Sequence, residues 1–367
     1  MQRIQINKMN IQKKEDLIFS RLSESEALLE LYIARITFLS FEEKKILKKN
    51  LDSSYSLVLL SIEDIEKLIN HKFSRRVIWN AKENFRMAQV ALHFCNQFDV
   101  KILLHSDSFY PEQLRQISDP PYLLFCRGDV SLLLRKNVSV VGTRRLTPAG
   151  KVAAKEFAYN AALNGDVVVS GLAKGADEYA HKGVVDAYFD CIEKDLDTSN
   201  LGKTIAVLPS SIDEIVPLSN KKLAGQILQT GGLIISEYEP RMTIANWHFV
   251  KRNRIIAGLS FATVVVEAPA GSGALITAEF ALEDGRDVFL HKACFLENAK
   301  KVSVIVQNQL ESDFEKGKVS KYKKENTVEK YLEAGAPIIE NYEDYCKACC
   351  EVPGVRHIKQ VQGSLFE

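Results

Sequence analysis

The first hundred residues contain no glycine and no proline, so all 19 glycines and 10 prolines lie beyond them. Without these turn formers the stretch reads as helices, and its apolar residues recur at helical spacing. Leu28, Leu29, Leu31, Tyr32 and Ile36 make one such face; Leu59, Leu60, Ile62, Ile65 and Leu68 make another. No apolar run reaches the roughly 18 residues of a membrane-spanning helix, so no span is expected. The cations of residues 1–10 have no apolar region behind them, so no secretory signal is read. The seven cysteines are odd in number and irregular in spacing, which excludes a disulfide framework and points to a reducing, cytoplasmic location. There is almost no net charge, +1, so a nucleic-acid site must come from local clustering. Hydrophobic residues at 46% and charged residues at 26% exclude a disordered or low-complexity chain.

What is present falls into three parts. Residues 1–100 are expected to form a small all-helical domain, or a helical extension packed on the rest. Ser61 before Glu63, Asp64 and Glu66 reads as a helix start. Residues 101–345 are expected to form an α/β core with a mostly parallel, extended Rossmann-like sheet. Short Val/Ile/Leu runs end in glycine or proline and alternate with helical segments, as in βαβ units buried on both faces. Within this core, residues 296–326 read as an insertion. From Lys300 to Asn326 it carries seven lysines and four acids, with little period after Gln307, and is expected to be exposed. Residues 346–367 read as a C-terminal tail.

Ligands on parallel sheets sit at the carboxyl ends of strands, near a switch in strand order. Four strand-end segments carry suitable chemistry. Gly142-Thr143-Arg144-Arg145 follows the first buried strand, and Arg135 to Lys155 holds six cations and no acid. With a helix beginning near Pro148, this reads as a phosphate site. It is not a dinucleotide fingerprint, because Gly-x-Gly-x-x-Gly is absent. Gly171 and Lys174 lie in the second such loop. There Asp177 reads as a helix cap bonded to a structural His181, a catalytic dyad being the alternative. The third segment runs from Arg241 to Ala262 with four cations, no acid and three aromatics. Trp247 and Phe249 beside Lys251, Arg252, Asn253 and Arg254 suit a single-strand platform of stacking rings and phosphate-neutralising cations. Arg252 and Arg254 cannot share a helix face, so one is expected to reach the ligand while the other pairs internally. In the fourth segment, Ser272 or Gly273 opens a helix after a glycine-flanked loop, a second anion-binding terminus.

In order along the chain stand "SDSFYPEQLRQISDPPYLLFCRG", "VVGTRRLTPAG", "VVSGLAKGADEYAH", "TIAVLPSSIDEIVP", "LIISEY", "HFVKRNRIIAGLS" and "VVVEAPAGSGALITAEFALEDGRDVF". This set, from about Ile102 to Leu290, resembles the DNA-processing protein A family (DprA, also called Smf). "YLEAGAPII" is similar to that family's closing segment. The resemblance implies a non-enzymatic, dimeric single-stranded-DNA binder that hands the strand to the RecA recombinase in natural transformation. Carried over by motif, the pocket would take in Gly142, Thr143, Arg144, Arg145, Gly171, Lys174, Phe249, Arg252, Asn253 and Arg254, with Lys251 and Ser272 at its edge. No cofactor and no metal is implied; Cys346-Lys347-Ala348-Cys349-Cys350 offers one Cys-x-x-Cys, too few ligands for structural zinc.

Three features depart from the family pattern. His291-Lys292-Ala293-Cys294 stands where many members have Pro-Gly. The glycine-free N-terminal region lacks the hairpins of a helix-hairpin-helix, and no winged-helix domain fits after Ile339. The alternative function is a nucleotide N-ribohydrolase of the lysine-decarboxylase-like (LOG) group, which resembles this fold. That group's Thr and catalytic Glu would fall at Ala274 and Thr277, with Glu279 two residues late. Finally, Gln362, Leu365 and Phe366 near the C-terminus resemble the short peptide that docks bacterial proteins on the replication sliding clamp.

Overall fold

The computed structural model describes residues 22–74 and 76–350. The clamp-like Gln362, Leu365 and Phe366 lie outside the described residues.

Five helices come first: α1 Glu24–Ala34, α2 Phe41–Lys49, α3 Ser54–Val58, α4 Ile62–Ile69 and α5 Ala81–Gln97. Serine opens them. Ser23, Ser40 and Ser61 each accept from the backbone three residues on, and Glu26, Glu43 and Asp64 reach back to complete capping boxes. Without glycine, α4 closes on Asn70 at φ 54°, the residue type that best tolerates the left-handed region. Tyr32, Ile33, Leu47, Leu57 and Ile65 are fully buried. Leu59 is not part of the second face: it caps α3 and is 84% exposed.

The core follows as β1 Lys101–Leu104, α6 Glu112–Arg115, β2 Leu123–Gly128, β3 Asn137–Val141, α7 Pro148–Leu163, β4 Val167–Ser170, α8 Ala176–Glu193, β5 Thr204–Val207, α9 Lys221–Gln229 and β6 Leu233–Ser236. Then come α10 Asn246–Lys251, α11 Asn253–Gly258, β7 Ala262–Val265, α12 Gly273–Glu283, β8 Asp287–His291, α13 Glu297–Glu315, α14 Lys321–Glu325, α15 Val328–Glu333, β9 Ile338–Ile339 and α16 Tyr342–Cys350. One nine-stranded sheet has the order β1-β2-β6-β5-β4-β3-β7-β8-β9. The β1–β2 and β2–β6 pairs are antiparallel and all others parallel. From β3 the chain winds outward to β6, then returns to place β7 on the other side of β3. The switch point therefore lies between β3 and β7.

Alternate side chains feed opposite layers, as the two-residue strand period requires. Val138, Val140, Val168 and Val264 pack under α7 and α8, while Val141, Val169, Ile205 and Val265 pack with α11 and α12. The N-terminal helices share a hydrophobic cluster with Leu104, Leu123, Phe125, Ala206, Leu208 and Ile234, so they rest directly on the sheet. Burial of each such large side chain contributes about 1.5–3 kcal/mol.

Two segments differ from the sequence reading. The 296–326 stretch is helical, as α13 and α14. The inward face of α13 runs Ala299, Ser303, Val306, Leu310, with part-exposed Val302 at its edge, while Val304 and Ile305 point outward. Small and polar residues inside with apolar ones outside erase the amphipathic signal. The chain also remains packed past residue 345: α16 carries Tyr342 and Tyr345 onto Phe157, with ring centroids 5.6 and 5.5 Å apart, and Cys346 and Ala348 lie against the same cluster. Cys349 and Cys350 at its end are exposed free thiols. Among the described residues no helix is long and apolar enough to cross a membrane.

Candidate nucleic-acid interface

The loops after β3, β4 and β7 and the start of α10 meet at the carboxyl edge of the sheet. After β3, Thr143 N donates to Glu267 O at 2.6 Å, tying this loop to the one after β7. The Glu267 carboxylate, buried below, accepts from Thr147 N at 2.9 Å and from Thr147 Oγ1 at 2.5 Å. This fixes the entry into α7 and leaves Arg144 and Arg145 exposed on the outer side. The Arg144 guanidinium lies 5.3 Å from the centre of the Phe249 ring on α10. A cation over a half-buried ring, open to solvent, offers a stacking face and a phosphate contact together. Lys174, exposed, stands beside them, because Gly175 packs against Thr143 and Arg144. Lys251 lies 5.9 Å from the ring of Trp247, which is 56% exposed.

The three residues after Lys251 behave otherwise. Arg252 is buried; its Nη1 donates to Gly171 O at 2.7 Å and also to Val207 O. It thereby clamps the ends of β4 and β5. Burial lowers its pKa to about 10, an effect that nearby Asp177 opposes, so it stays a cation at neutral pH. Asn253 donates from Nδ2 to Gly273 O at 3.1 Å, fixing the start of α12. Arg254 pairs with Asp119 at 2.8 Å and Glu237 at 2.7 Å. The expectation that one of the two arginines reaches a ligand is not met: both face inward. The physical reason is that partners distant in sequence hold them, the Gly171 and Val207 carbonyls for Arg252 and the Asp119 and Glu237 carboxylates for Arg254.

The glycine reading needs the same correction. A Cβ on Gly142 would lie 2.7 Å from the Ala176 Cβ, and one on Gly171 would collide with the Arg252 guanidinium. Each makes room for a neighbouring protein segment. Asp177 is not the cap of α8, which is Gly175. Its carboxylate accepts from Gly171 N at 3.1 Å and Ala173 N at 3.3 Å, holding the loop that presents Lys174. Burial raises its pKa, against the pull of Arg252. His181 bonds Thr204 Oγ1 at 2.7 Å rather than Asp177, and burial lowers its pKa to about 3, so it is neutral. Asn220, which no sequence signal marked, donates to Leu172 O and Ala173 O from the other side of the loop. Ser272 precedes α12 as its cap, and its Oγ is buried with no hydrogen-bond partner among the described residues. Thr277 donates to Gly273 O at 3.2 Å, while Glu279 pairs with Lys330 at 3.3 Å.

The model of the family described as DNA recombination-mediator protein A matches residues 101–348. The chain belongs to that family. It is 32% identical over 265 residues to protein Smf of Borreliella burgdorferi, covering 72% of this chain and 79% of that one. It is 41% identical over 183 residues to the DNA processing protein DprA of Streptococcus pneumoniae, covering 50% of this chain and 60% of the relative. The crystal structure of the Streptococcus pneumoniae protein superposes with a TM-score of 0.61 at 28% identity, over 89% of this chain and 98% of that one. DNA processing protein A from Helicobacter pylori, described with a single-stranded DNA binding mode, superposes at 0.51 with 27% identity, over 69% and 96%. The mostly parallel sheet and the preceding helices agree with the fold class read from the sequence.

Proposed function

We propose that the protein binds single-stranded DNA across the carboxyl edge of its sheet and performs no chemistry on it. The observation that carries this reading is the row of cations, exposed Arg144, Arg145 and Lys174 with half-buried Lys251, whose Nζ lies 4.0 Å from Asp119, interleaved with Phe249 and Trp247. Membership of the family supports it, as does the single-stranded DNA binding mode of the Helicobacter pylori relative. Phosphates meet the cations, and unstacked bases meet the rings, with little sequence choice. Against the N-ribohydrolase alternative stands Thr277, where that group's glutamate would be required.

The test is a fluorescence-anisotropy titration of single- and double-stranded oligonucleotides at two salt concentrations. The single strand binds more tightly, and its affinity falls steeply with salt; equal affinity for duplex refutes the reading. Transfer of the strand to RecA by a dimer, as the family resemblance implies, is checked by recombinase filament growth with and without the protein and by light scattering. Docking of Gln362, Leu365 and Phe366 on the sliding clamp is checked with a peptide of residues 359–367.

A further inference from the structure

α13, the turn after it and α14 are held against the loop that opens α12. Gly271 N donates to Asn326 O at 2.8 Å. At φ 64°, Gly271 also lies so close to the hairpin that a Cβ would sit 2.8 Å from Lys323 O. On the other side, Ala299, Val302 and Ser303 share a cleft with Thr143, Arg145 and Thr147. The insertion is therefore one bank of the strand-end surface.

Around the turn from α13 into α14 its charge has one sign. Residues 316–324 carry five lysines and no acid. Lys318, Lys323 and Lys324 have no carboxylate partner among the described residues, and Lys321 reaches Glu325 only at 3.7 Å. Aromatic rings lie among them: Lys324 Nζ is 4.6 Å from the Phe314 centroid, and Tyr322 is 47% exposed. Like charges crowded into nine residues repel one another, and a polyanion relieves that repulsion. A basic turn with an exposed ring has the make-up of a single-strand track.

We infer that the segment from Lys316 to Lys324 is a second contact surface for single-stranded DNA. It takes backbone phosphates of the strand as that strand passes Gly271 and Ser272, with Tyr322 as a stacking face. The inference rests on the single-strand reading above and adds to it a longer footprint on one side.

The experiment compares the full chain with its Lys318→Gln/Lys323→Gln/Lys324→Gln variant, using oligo-dT of about six and about 24 nucleotides, spanning the range of single-strand site sizes. Equal melting temperatures establish that both are folded. With the short oligonucleotide the variant keeps wild-type affinity within about twofold. With the long one it binds more weakly, and its slope of log K against log salt is shallower by about 2, three phosphate contacts at about 0.7 each. A wild-type slope with the long oligonucleotide overturns the inference, and so does an equal loss at both lengths. A surface for an acidic protein would also leave the slope unchanged. If the wild type binds neither oligonucleotide, the single-strand reading itself falls; if it binds both and the variant matches it, only the second surface falls.

Discussion

Replacing Arg252 with alanine tests the division between clamp and contact. The guanidinium is buried, bonded to Gly171 O and Val207 O, and faces the buried Asp177 carboxylate. Removing one member of such a buried charged set leaves the other uncompensated and costs about 3–5 kcal/mol. At about 2.1 cal/mol/K per residue the 367-residue chain has an unfolding entropy of about 0.8 kcal/mol/K, so a fall of about 4–6 °C is expected. Calorimetry or far-ultraviolet circular dichroism measures it. DNA affinity should fall by no more than about tenfold well below the transition, roughly 1.4 kcal/mol, because the Gly171–Lys174 loop loosens while its phosphate contacts remain. The salt slope should be unchanged, since a residue that touches no phosphate releases no counterion. The opposite pattern refutes the reasoning: a wild-type melting temperature, lost binding and a slope shallower by about 0.7. Gly171→Ala supplies the cross-check. Its Cβ needs the space the guanidinium fills, so the double variant should be less destabilised than the two single effects summed.

Two further predictions concern single side chains. Phe249→Ala should weaken single-strand binding by about 1–3 kcal/mol if the ring stacks a base, with a melting temperature within a few degrees of wild type; loss of stability with intact affinity would make it a packing residue. His181 is held neutral by burial, its pKa lowered to about 3, while the unfolded chain protonates it near 6.5. Below 6.5 the unfolded state therefore binds the extra proton, and stability declines as the pH drops toward 3, by at most about 1.4 kcal/mol per unit. Urea unfolding of wild type and His181→Asn across that range should show a stability difference that changes with pH, and a constant difference excludes the assignment.

The sheet was legible because its strands are buried on both faces and so appear as unbroken Val/Ile/Leu runs. Leu233–Ser236 and Pro148–Leu163 fall where their punctuation places them. The carboxyl-edge location followed from topology, and the Arg144, Lys174 and Phe249 segments do converge there. α13 was not legible, because outward Val304 and Ile305 contradict the period of its packed face. The direction of Arg252 and Arg254 was hidden for a different reason. Their partners are Asp119, Asp177, Gly171, Val207 and Glu237, and only the fold brings these under α11.

That distinction has a measurable consequence, because a cation count from sequence does not separate phosphate contacts from internal clamps. Counting Arg144, Arg145, Lys174, Lys251, Arg252 and Arg254 as contacts gives a single-strand salt slope of about −4, at roughly 0.7 per phosphate. Removing the two buried arginines leaves exposed Arg144, Arg145 and Lys174 with half-buried Lys251, and a slope of about −3 for a short oligonucleotide confined to the strand ends. Arg254 cannot be freed cheaply to restore the larger value. It would have to leave Asp119 and Glu237, both in direct contact, and expose two carboxylates to the incoming phosphate. A measured slope near −4 with a short oligonucleotide would therefore mean that α11 rearranges on binding. Chemical shifts of the Arg252 and Arg254 side chains, followed through the titration, would then have to move. A slope near −3 with those signals unmoved fits a preformed site in which the buried arginines hold the loops and the exposed cations hold the strand.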